Sequence, residues 1–152
     1  MNIQTIPTFH VIGISVRTTN ENGQAMQDIP ALWARFMAEQ IATQIPGKIN
    51  NDLYCIYTDY EKDHTRPYTT LLGCRVHNID HIPEGMTGKT CAEGGYTLFT
   101  AKGNLAQPIV YNEWLKIWNA PLTRAFTTDF EVYGEKVTNP ENAEVDIFVA
   151  LK

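Results

Sequence analysis

Apolar and polar positions repeat along this chain with two periods, and each period marks an element. Val11-Ile12-Gly13-Ile14-Ser15-Val16-Arg17 sets Ile12, Ile14 and Val16 on one side, the period of a strand. Gly13, on the other side, leaves room for a second backbone or a ligand to come close. A polar loop over residues 18–24 follows. Ile29, Leu32, Trp33, Phe36, Met37, Gln40 and Ile41 then recur at helical spacing, with Asp28 and Pro30 as start signals and Pro46-Gly47 as a stop. Residues 53–57 and 68–76 read as two strands of an antiparallel hairpin with a long polar turn. Residues 78–94, which hold Pro83, Gly85, Gly88 and Gly94, read as a linker.

The second half repeats this grammar. A strand over 96–100 and a turn at 102–104 lead to a helix with Pro108 in its first turn; Tyr111, Trp114, Leu115 and Trp118 share a face, and Pro121 closes it. Strands over 126–133 and 145–149, joined by a turn at 138–142, complete the chain. Two β-α-β-β units, approximately residues 1–78 and 92–152, thus make up a single domain spanning 1–152. The repeat is one of pattern, since residue identity between the halves is slight. The expected fold is α+β: duplicated units joined edge to edge into a curved antiparallel sheet, two helices on one face, and a cleft across the pseudo-twofold junction.

Composition narrows the function. A net charge of −5 over 152 residues argues against general phosphate-backbone binding, so no direct nucleic-acid contact is expected. No apolar run is long enough to span a bilayer. Residues 1–5 lack a basic segment followed by an apolar one, which points to the cytoplasm. Cys55, Cys74 and Cys91 form no CxxC pair, and Cys55 and Cys74 read as small core residues. Of His10, His64, His77 and His81, only His77 and His81 are spaced for one helical face, and Asn78, Asp80 and Pro83 around them read as a loop, so neither a metal nor a cofactor is expected.

The chemistry is concentrated in Asp129-Phe130-Glu131-Val132-Tyr133. As a strand it turns Phe130 and Val132 one way and Asp129, Glu131 and Tyr133 the other. A carboxylate beside an aromatic ring, in a chain rich in Trp and Tyr, is what a pocket for an organic cation needs. The candidate walls are Trp33 and Phe36 from the first helix, Tyr57 and Tyr68 from the hairpin, and Tyr96, Trp114, Trp118 and Tyr133 from the second half. Two indoles one turn apart, Trp114 and Trp118, exceed what a small core requires. Asp146 alternates with Val145 and Ile147 and is a second acid should its face be the cleft.

Several stretches together resemble the GyrI-like small-molecule-binding domains, the effector-binding domains of AraC- and MerR-type bacterial transcription activators, which also occur as free-standing proteins, some of them integron cassette products. They are Phe9-His10-Val11-Ile12-Gly13-Ile14, Ile29-Pro30-Ala31-Leu32-Trp33, Tyr68 through Cys74, Gly94-Gly95-Tyr96, Trp114 through Trp118, the Asp129 to Tyr133 strand, and Glu144 through Val149. The resemblance implies a duplicated β-α-β-β fold with a central cleft that binds hydrophobic, often cationic, compounds. In that family an acid in the pocket attracts the cation; Glu131 matches it, and Tyr133 matches the motif's tyrosine. No DNA-binding helix-turn-helix precedes the first strand, so a regulatory role would need a partner protein carrying one. Two other functions fit the resemblance: hydrolysis of strained electrophiles with Glu131 as base, for which no nucleophile–base–orienter set is visible, and a gyrase-inhibiting protein contact.

Overall fold

The computed structural model describes residues 2–152. Eight strands, β1 (Ile3–Ile6), β2 (Phe9–Thr18), β3 (Leu53–Thr58), β4 (Tyr68–Val76), β5 (Thr87–Cys91), β6 (Gly94–Gly103), β7 (Thr128–Tyr133) and β8 (Ala143–Ala150), form one sheet. Three α-helices accompany it: α1 (Ala25–Ala38), α2 (Ile41–Gln44) and α3 (Ile109–Asn119). All pairings are antiparallel, in the order β1-β6-β8-β7-β3-β4-β2-β5. Outward from the centre, β3-β4-β2 on one side mirrors β7-β8-β6 on the other, which is the order two β-α-β-β units give when joined edge to edge. The seam is the β3–β7 pair, in which Cys55 faces Glu131 and Tyr57 faces Asp129.

The sheet curls because the chain forces its ends together. β1 lies at one end and β5 at the other, beside β2, yet β1 and β2 are separated only by Pro7 and Thr8, a reach of ~10 Å. A flat sheet of eight strands would set those ends several times farther apart. One cluster, including Phe9, Val11, Ile56, Cys91, Tyr96 and Phe130, draws only on the sheet and its flanking turns and fills the inside of the curl. The outer face carries two more clusters. Leu32 and Phe36 of α1 pack on Ile12, Ile14 and Leu72; Trp114 and Ile117 of α3 pack on Val145, Ile147 and Val149. Both main helices therefore cover the same face, one over each half, and the seam lies between them.

The space expected at Gly13 is filled by backbone. Gly13 pairs with Gly73, and a Cβ at Gly13 would stand 2.0 Å from the Leu72 carbonyl oxygen. Three expectations need correction. The 78–94 stretch contains β5, whose Thr-Gly-Lys-Thr-Cys sequence has no apolar alternation and which is specified by its pairing with β2. β1 is too short and too exposed to register as a half-buried strand. The first helix does not run through Gln40: Gln40 adopts φ +51°, ending α1 at Ala38 and starting the single turn α2 in a new direction. Among the described residues, no helix is long and apolar enough to cross a membrane.

Candidate functional site

Between α1 and α3, above the β3–β7 seam, is a cleft of about 340 Å³. Strand alternation supplies its floor: Tyr57 from β3, Tyr68 from β4, and Glu131 and Tyr133 from β7 all point to the helix side. Helix geometry supplies the walls. On α1, Met26, Ile29, Pro30 and Trp33 edge the cleft while Leu32 and Phe36 turn into the core; on α3, Tyr111, Trp114 and Trp118 form the facing edge. The β3–β4 loop adds Tyr60 and His64 at one end, and Arg124, between α3 and β7, lies there too.

Glu131 is 1 % exposed and sits among donors. Its Oε2 accepts from the Tyr57 hydroxyl and from Trp114 Nε1, each at 2.7 Å, and its Oε1 accepts from the Tyr133 hydroxyl at 2.7 Å. Burial pushes the Glu131 carboxyl above the ordinary carboxylate range, and these donors, with Cys55, pull it partway back. All three oxygen and nitrogen donors are neutral, so they orient the charge without cancelling it. Among the described residues none of the ion pairs includes Glu131. Burial, reinforced by neighbouring negative groups, likewise drives the Tyr57 and Tyr133 hydroxyls well above their usual values, so they stay protonated as donors.

The rings around this carboxylate brace one another. Trp33 meets Tyr133 edge-on with centroids 4.8 Å apart, and Tyr57 meets Trp114 edge-on at 5.4 Å. Trp118 stacks on His64 at 5.4 Å with their planes 6° apart. Packing of this kind fixes ring positions before any ligand arrives. A fixed, mostly apolar cleft with one buried, uncompensated anion is built to hold a small organic molecule.

A model of integron-associated effector-binding proteins, Cass2, matches residues 2–151. The chain belongs to this family. It is thus an effector-binding, small-molecule-binding domain, as the sequence resemblance implies. It is 28 % identical, over 92 % of its length and 90 % of the relative's, to YobU of Bacillus subtilis (strain 168), a candidate transcriptional regulator by name. The crystal structure of the Vibrio cholerae integron cassette protein VCH_CASS2 is 29 % identical and superposes with a TM-score of 0.77, covering 99 % of this chain and 95 % of that one. SAV2435, solved bound to tetraphenylphosphonium, shares the fold at 19 % identity, with a TM-score of 0.80 over 99 % of this chain and 93 % of its own.

Within this effector-binding fold, the residues singled out from sequence divide into two groups. Glu131, Tyr133, Trp33, Tyr57, Tyr68, Trp114 and Trp118 come together around the cleft. Phe36 and Tyr96 do not. Phe36 lies about 60° around α1 from Trp33, and that turn carries it into the core at 1 % exposure. Tyr96 points to the inside of the curl, where its ring meets Phe130 at 5.4 Å. Asp146 is also on the inner-facing side of β8, held by Thr100 and Lys136.

The second buried acid is Asp129 instead. Its Oδ2 accepts from Arg124 Nη2 at 2.7 Å and from the Tyr60 hydroxyl at 2.6 Å, and its Oδ1 accepts from the Ala150 amide at 2.8 Å. Tyr60, His64 and Arg124 lie in segments with no periodicity. The one available signal was Asp129 itself, an acid on the Glu131 side of the strand that needed a partner.

Proposed function

We propose that the cleft binds amphipathic organic cations, with Glu131 as the fixed counter-charge and the rings of Trp33, Tyr57, Tyr68, Trp114, Trp118 and Tyr133 as walls. The observation that carries this reading is the Glu131 carboxylate, buried beneath a ring-lined cleft and held by neutral donors alone. A cation seated there recovers Coulombic energy that water no longer supplies, and each well-placed ring adds ~0.5–2 kcal/mol. Tetraphenylphosphonium, the ligand of SAV2435, has that chemistry: a positive centre wrapped in aromatic rings. Both Glu131 oxygens are occupied by donors, which suits a counter-charge better than the base a hydrolase requires. The geometry favours a small molecule over gyrase or a DNA-binding partner protein. Three buried free thiols, Cys55, Cys74 and Cys91, suit a reducing compartment such as the cytoplasm.

Calorimetry with two ions of one shape tests the reading. The native protein is expected to bind tetraphenylphosphonium at least about tenfold more tightly than tetraphenylborate, a difference of ~1.4 kcal/mol. Glu131→Gln should remove most of that preference. A variant that discriminates between the ions as well as the native protein does would reject the assigned role.

A further inference from the structure

The end of the cleft opposite Glu131 is also polar, and its polarity is unspent. Arg124 lines the cleft with a side chain only 5 % exposed. Its backbone is fixed by a bridge to Leu151, and its guanidinium lies 4.3 Å from the centroid of Phe126 and 5.8 Å from that of Trp114. Only Nη2 is used, donating to Asp129. Nε and Nη1 are buried and have no acceptor among the described residues; neither has Nδ1 of the neighbouring His64 a partner. Buried donors are nearly always paired, and each one left bare costs ~1–3 kcal/mol.

Asp129 cannot relieve this deficit. Its two oxygens already take three donors, so it anchors Arg124 without exhausting it. Trp114 links the two ends: its Nε1 donates to Glu131, while Arg124 stands over its ring. The anion and the guanidinium are therefore separated by about one indole, a span that a single drug-sized molecule bridges. His64 stands beside Arg124. Its backbone carbonyl is held by Asn20 and its ring stacks on Trp118 and Phe126, which keeps its unpartnered Nδ1 at the same end of the cleft as the guanidinium.

We propose that the Arg124 end is a second polar subsite, which takes a carboxylate carried by the bound cation, so that the cleft selects zwitterionic amphiphiles. This rests on the cation reading above. The guanidinium supplies charge-assisted donors to the incoming acceptor. Without it, a carboxylate in this cleft would meet only Glu131 and Asp129, both of its own sign.

Two phosphonium probes of matched length separate the ideas: carboxybutyl-triphenylphosphonium and pentyl-triphenylphosphonium, titrated calorimetrically at neutral pH. The native protein is expected to bind the carboxylate probe at least as tightly as the pentyl probe. Removing Arg124 alone would strand Asp129, so the informative variant is the double change Arg124→Met with Asp129→Asn, which leaves the cleft's net charge unaltered. It should bind the carboxylate probe about tenfold more weakly than the pentyl probe. Arg124→Lys retains the ion pair but loses the Nε and Nη1 donors; it should lose several-fold on the carboxylate probe alone and provides the reading if the double variant does not fold. An unchanged ratio between the probes in both variants, or in Arg124→Lys where the double variant does not fold, would overturn the subsite, while pentyl-probe binding stayed intact. Failure of the Glu131→Gln test would instead remove the cation reading itself.

Discussion

At the scale of single residues, the site depends on how a carboxylate is kept charged out of water. Glu131 meets three donors at 2.7 Å, and each bond favours the ionised form against the burial that opposes it. Trp114 is the informative one to change, because Phe retains an aromatic ring, though a smaller one, against Tyr57 and loses the Nε1 donor. A hydrogen bond to a charged group contributes ~1.5–3 kcal/mol, which corresponds to about one to two pH units in the carboxyl's titration. Trp114→Phe is therefore expected to move the pH midpoint of tetraphenylphosphonium binding upward by about one unit, with little loss of affinity at the alkaline plateau. Titrating affinity against pH checks it. A midpoint that stays put would mean that the group controlling binding is not Glu131.

At the scale of elements, α1 and α2 show what a periodic pattern reveals and what it hides. The apolar spacing from Ile29 to Ile41 identifies a helix but runs on past its end, because Ile41 is buried whether or not the axis continues. The break occurs at Gln40, in the left-handed region at φ +51°, where a side chain bearing Cβ is strained. Gln40 is exposed and its side chain makes no hydrogen bond among the described residues, so glycine should relieve the strain at little cost. Gln40→Gly is expected to stabilise by ~0.5–1 kcal/mol, raising the melting temperature by about 2–3 °C, as scanning calorimetry would show. Loss of stability would mean that the turn depends on the glutamine itself.

The same contrast explains the rest of what the sequence makes legible. Alternation in β7 placed Glu131 and Tyr133 on one face because period two leaves no other choice, and helical spacing placed Trp33, Trp114 and Trp118 on faces that the fold then turned toward one cleft. Tyr96 lies inside the curl and not at the cleft; alternation separates two faces without saying which is the cleft. β5 was invisible because an edge strand of Thr, Gly and Lys is specified by β2, some seventy-five residues earlier in the chain. The Arg124–Asp129 pair depends on a turn with Phe126 at φ +54°, a conformation that no periodicity announces.

At the scale of the whole molecule, the site sets stability and binding against each other as pH changes. The folded-state value of Glu131 lies above its ordinary 4.5, so between the two the native chain holds a proton that the unfolded chain has released. Stability from this group is thus lost as pH rises through that window, and above it the empty protein bears the full cost of a buried charge. Cation binding runs the opposite way, since it requires the ionised form. His64 must be separated out. Burial, aided by Arg124, holds its value below 6.5, so the unfolded chain takes up that proton first and acidification through this range destabilises the fold. Comparing native protein with Glu131→Gln at each pH cancels the His64 contribution and isolates Glu131. Near pH 4 the two should melt together; as pH rises toward 8, the empty variant should become the more stable and melt at the higher temperature. Saturating tetraphenylphosphonium should reverse that order at pH 8, because a ligand at a hundred times its dissociation constant adds ~2.7 kcal/mol to the form that binds it. Melting curves at the two pH values, with and without the cation, would show the crossing. If the empty variant never exceeds the native protein, Glu131 carries no penalty for a cation to offset.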